Sequence, residues 1–179
     1  MGLLSKILGG EAVFGLRLAL GDIKADFARL ELASNGMNEL LGPDCVYDPD
    51  DLECAETVDR LRVLCRTEQG LNSLSDRLER LLTSARDAAG WVETMLEAMP
   101  AQDAPRFEGA AFNAQVIRTA LRTIDLAFQM SGARAGSSGV DRLKTLAADP
   151  TGLFGLGVQL SSLIEFSQRV HRDWAQRVG

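Results

Sequence analysis

The stretch LNSLSDRLERLLTSARDAAGWVETMLEAM, Leu71 to Met99, decides the fold. Its apolar residues stand at Leu71, Leu74, Leu78, Leu81, Ala85, Ala88, Val92, Met95 and Met99. Steps of three and four alternate without a break, which lines one side of an α-helix and repeats every seven residues. Asp76, Arg77, Glu79, Arg80, Arg86, Asp87, Glu93 and Glu97 take the other faces. A seam of this kind needs partner helices, and the rest of the chain supplies them.

Upstream, Val13, Leu16, Leu20, Ile23, Phe27 and Leu30 form a second seam that extends toward Met37 and Leu41. Gly21 and Asn35-Gly36 weaken this helix locally, and Gly42-Pro43 stops it. A further helix is expected to begin near Leu52 and run on to Met99, with Cys54, Val58, Leu61 and Cys65 on one face. The seam slips between Cys65 and Leu71, beside Gln69-Gly70, which predicts a bend or a change of register. Unbroken, that helix would be about 70 Å long and would overhang its neighbours. Downstream, Phe107, Ala110, Ala114, Ile117, Leu121, Ile124 and Phe128 repeat the pattern, and the short connection predicts an antiparallel hairpin. Ser138 and Asp141 cap a short helix through Ala148. A last helix from about Thr151 to Val178 carries Leu156, Leu160, Leu163, Val170 and Trp174, with Ser167 as a polar interruption.

The expected fold is therefore all-α: an elongated, mostly antiparallel bundle of four main amphipathic helices plus one short helix. At 179 residues the chain reads as one domain, 1–179, with an amphipathic segment at 1–10 and an acidic loop at 42–51. A formal charge of −6, with basic residues scattered among acidic ones, argues against nucleic-acid binding. Three cysteines leave one unpaired under any internal scheme, and no signal peptide or membrane span is read, so the expected setting is cytoplasmic.

Candidate chemistry is sparse. Asp44, Asp48, Asp50, Asp51 and Glu53 offer oxygens to a hard cation, but the spacing departs from the twelve-residue calcium loop, and capping accounts for the acidity. Cys45 and Cys54 flank that loop and read as small core residues in a reducing compartment, the alternative being a disulfide between them in an exported protein. The turn Gly132 to Gly139 lacks the Lys-Ser/Thr pair and preceding strand of a nucleotide loop. The only histidine, His171, falls on a helix flank, and neither Cys54 nor Cys65 sits in a nucleophile motif that would recruit it. Paired Glu-x-x-His motifs for a diiron centre are absent. No catalytic, cofactor-binding or metal residue is therefore assigned, and no enzyme activity or cofactor is expected.

LLTSARDAAGWV, AFNAQVIRTALRTIDLAFQMSGARA and VDRLKTLAAD, within residues 81–150, resemble the C-terminal helical domain of acyl-CoA dehydrogenases and related flavoproteins. Arg142 corresponds to the first arginine after that family's small-residue turn, whereas Lys144 and Thr145 stand where it has Arg-Asp. The resemblance implies a small-ligand or cofactor-binding helical subunit as one alternative. A membrane-surface protein held by residues 1–10 is another. The leading expectation is a non-enzymatic interaction or assembly module, homo-oligomeric or bound to a protein partner.

Overall fold

The computed structural model describes residues 10–42, 55–98, 105, 108–132, 136–149 and 151–178, and within these not the side chains of 10–24, 95, 98, 110 and 173–178. The amphipathic segment 1–9, the acidic loop from 43 to 54 and both Cys45 and Cys54 lie outside the described residues. Six helices pack against one another: α1 (Gly10–Leu41), α2 (Ala55–Leu64), α3 (Glu68–Ala98), α4 (Glu108–Met130), α5 (Gly139–Ala148) and α6 (Gly152–Val178). No strand occurs among the described residues. The protein is an all-α helical bundle.

The four long helices form a ring in chain order, with α1 against α3, α3 against α4, α4 against α6, and α6 closing on α1. Polar contacts across each side give the directions. Asp26 meets Trp91 and Gly36 meets Arg77, so α1 and α3 are antiparallel. Asp125 meets Arg86 and Arg118 meets Glu93, so α3 and α4 are too. The expected antiparallel hairpin is present. Both short helices sit at the end where α3 and α6 begin. Val58 and Leu61 of α2 abut Gly157, and Gly139 of α5 abuts Ser75.

The seams form one core. Every described member of the α3 seam, from Leu71 to Val92, is buried, and so are Phe27, Leu30, Met37 and Leu41 of α1. Ala114, Ile117, Leu121, Ile124 and Phe128 of α4 join Leu156, Leu160, Leu163 and Val170 of α6. Such burial stabilises each large side chain by roughly 1.5–3 kcal/mol, the main stabilising contribution in a fold with few other constraints.

One expectation is overturned. The helix expected from Leu52 to Met99 is two helices, separated by a turn at residues 65–67. Thr67 supplies the new N-cap: its Oγ1 accepts from Gly70 N at 3.1 Å, and its carbonyl accepts from Leu71 N at 3.0 Å. Gly70 makes the corner possible, because a Cβ there would stand 2.2 Å from the Leu64 carbonyl oxygen. The seam slip beside Gln69-Gly70 is thus a full break. The 70 Å rod and its overhang do not exist, and the described residues hold two short helices, α2 and α5.

Helix α1, by contrast, runs through Asn35-Gly36 unbroken to Leu41. Arg77 Nη1 donates to the Gly36 carbonyl, and Arg60 Nε reaches the Leu40 carbonyl at 3.2 Å. Gly42, at φ +106°, then turns the chain in the left-handed region.

Candidate functional site

A face made by α1, α3 and α4 carries a polar network. Trp91 lies beside the α3 seam, half-buried, and its indole Nε1 donates to Asp26 Oδ2 at 2.6 Å. Asp26 Oδ1 holds Arg29 at 2.8 Å, so one carboxylate links a tryptophan on α3 to an arginine on its own helix. Arg118 pairs with Glu93, and Arg86 approaches Asp125 at 3.3 Å. Between them an open groove of about 410 Å³ runs along α3, floored by Gly90 and Trp91 and walled by Arg86, Glu93, Glu97 and Arg118. Its charges are mixed, with Glu93 paired to Arg118 and Arg86 to Asp125. That suits side-chain ion pairing across helices more than enclosure of an apolar ligand, which calls for predominantly hydrophobic walls.

A second feature lies on the outer face of α4. Phe112, Gln115, Thr119, Arg122, Leu126 and Met130 follow at three- and four-residue steps. The large apolar members are exposed, Phe112 by 61%, Leu126 by 52% and Met130 by 79%. Phe112 leans on Phe166 of α6, edge to face at 6.1 Å between centroids, and Arg169 covers the far ring at 5.0 Å. The stripe is apolar at both ends and polar in its middle. Its residues fall off the α4 seam, a displacement already present in the sequence.

Of the residues weighed for chemistry, those that are described are not drawn together. His171 Nε2 stands 3.4 Å from Glu31 across the α1–α6 side. Cys65 is a free, half-buried thiol in the α2–α3 turn, and burial pushes its pKa up, the reverse of what an activated nucleophile needs. Helix α2 meets α6 at Ser161, ten residues and about 15 Å along the helix from His171. In the Gly132–Gly139 turn, Ser138 Oγ accepts from Asp141 N at 3.1 Å and donates to Asp141 Oδ2 at 2.7 Å, a cap on α5. Arg142, the residue carried by the flavoprotein resemblance, stacks on the Phe128 ring at 4.2 Å. Among the described residues no three His, Cys, Asp or Glu side chains are grouped as a metal site would require. No helix among them is long and apolar enough to cross a membrane.

The chain matches no family model, no curated protein and no solved structure.

Proposed function

We propose that this chain is a non-enzymatic assembly module that pairs with a second copy of itself through the outer stripe of α4. The observation that carries the reading is the exposure of Phe112, Leu126 and Met130 on one face of one helix. Soluble proteins leave single apolar residues uncovered without consequence, but three large ones along a stripe mark a contact surface. Their order favours a second copy. Laid antiparallel on itself about a two-fold axis near Leu121, the stripe sets Phe112 against Met130 at both ends and Thr119 against Arg122 in the middle. The stripe is about 27 Å long, so a stable pair also draws on the flanking faces of α3 and α6. A cytoplasmic setting accords with the free thiol of Cys65.

The only charge on the stripe is Arg122. Two arginines near the axis repel, so the pair strengthens as salt screens them. Sedimentation velocity over a concentration series at low and high salt tests the reading. The wild type should show a concentration-dependent dimer that gains weight with salt, and Leu126→Glu with Met130→Glu should remain monomeric with unchanged helicity. A wild type that stays monomeric at every concentration and both salts would sink it.

A further inference from the structure

We propose that the α1–α6 side of the core holds a buried hydration site, in which ordered water is bound by Ser34, Asn38 and Ser167. This inference is independent of the α4 stripe. Ser34 occupies the α1 seam between Leu30 and Met37, and Ser167 occupies the α6 seam between Leu163 and Val170. Both are core positions, and both side chains are 0% exposed. Among the described residues neither hydroxyl has a hydrogen-bond partner, and neither does Asn38 Oδ1, one turn beyond Ser34 on the same helix.

The register of the two helices brings Ser34 and Ser167 to one level, with Asn38 one turn further along α1. Arg60 ties the end of α1 to α2, and α2 rests on the first half of α6 through Thr57 and Ser161. Glu31 meets His171 far along α6, so α1 and α6 are antiparallel. Three residues on from Glu31 and four back from His171 move in the same direction along the bundle, by about 4.5 and 6 Å. Ser34 and Ser167 therefore lie at nearly the same level on adjoining helices.

A buried hydroxyl with no partner is costly, and native cores answer it with a protein group or an ordered water. The protein answer is used elsewhere on α6, where Thr57 and Ser161 bond directly at 3.0 Å. At the Ser34–Ser167 level it is not used. Serine has two fewer heavy atoms than the leucine that fills most of these seam positions, so two serines at one level free space on the scale of a water, about 30 Å³. Three neutral polar atoms also give a water the two to four partners that hold it in place. Glu31 and His171 stand about a turn away and only half-buried, and the three atoms of the site are themselves neutral. Water fits it and a metal ion does not.

The experiment counts long-lived internal waters in the full chain by oxygen-17 magnetic relaxation dispersion. The wild type is compared with Ser34→Val/Ser167→Val, and with Thr57→Ala/Ser161→Ala as a control pair. The expected result is loss of at least one long-lived water in the valine variant and no loss in the control. Ser34→Ala alone, which cannot disturb folding through bulk, should show the same loss and a thermal midpoint lower by about 2–4 °C, since Ser167 and Asn38 then lose the water as a partner. An unchanged water count in Ser34→Ala and in the valine variant overturns the proposal. The hydroxyls would then be dry, each turned to the carbonyl four residues back, and Ser34→Ala would raise the midpoint.

Discussion

Two corners at the same end of the bundle are built by one device and differ in its chemistry. Where α2 gives way to α3, Thr67 caps the new helix and Gly70 lies against the Leu64 carbonyl. Where α5 gives way to α6, Asp149 caps through Oδ1, which accepts from Thr151 N and Thr151 Oγ1, both at 2.9 Å. Gly152 lies against the Leu146 carbonyl, where a Cβ would stand 2.3 Å from the oxygen. In both, the spent end of one helix presses a carbonyl onto a glycine in the first turn of the next. One cap is a neutral hydroxyl and the other a carboxylate. A helix corner therefore needs close backbone approach first, and the capping group is interchangeable.

The glycines give the sharpest way to break that parallel. Gly70→Ala and Gly152→Ala each force a methyl against backbone, and each should lose about 1–3 kcal/mol in urea unfolding. Gly90→Ala, in a helix interior with nothing within 4 Å of the added Cβ, should instead gain about 0.5–1 kcal/mol. If all three gain, helix propensity governs and the close approach is not what shapes the corners. Next come the caps: Thr67→Ala should cost about 0.5–2 kcal/mol by the same measurement, with Asp149→Ala in the same range.

Acid separates the two corners. Hydrogen bonds from Thr151 N, then Thr151 Oγ1, hold the Asp149 pKa below the ordinary carboxylate value of 3.8. A depressed folded pKa stabilises the folded state above the unfolded value, and this is lost as pH falls through the folded one. Amide exchange at Thr151 and Gly152, corrected for intrinsic rates, should therefore accelerate below about pH 3.8, with Gly70 unaffected. The effect is small because Asp149 is exposed to solvent. Smallest is the thiol at the first corner. Burial raises the Cys65 pKa, so iodoacetamide at pH 8 should alkylate it more slowly than a free cysteine peptide, and Gly70→Ala should narrow the gap.

These corners also mark where the sequence could be read. Asp149-Pro150 announces the second, since proline cannot continue a helix. No proline stands between Cys65 and Leu71, and the charge pattern there suits a continuous helix, so only the slipped seam hinted at the first. The core was legible because burial follows the seven-residue pattern, from Leu71 to Val92 and again from Ala114 to Phe128. Trp91 stands between the seam positions Ala88 and Val92, but its bond to Asp26, 65 residues away, depends on which helices are neighbours. The α4 stripe was present as apolar residues off the seam. It had no meaning until the other faces of α4 were occupied by α3 and α6.

The ring of long helices has one joint unlike the others. Around it, α1–α3, α3–α4 and α4–α6 join long helices that follow one another in the chain, so these sides close over short separations. The α1–α6 side joins Glu31 to His171, near opposite ends of the chain, and its closure carries the largest loop entropy. The expected folding order puts that side last, after the α3–α4 hairpin. Substitutions at Ser34 or Ser167 should alter the unfolding rate and leave the refolding rate nearly unchanged, whereas Leu81→Ala and Ile117→Ala should slow refolding.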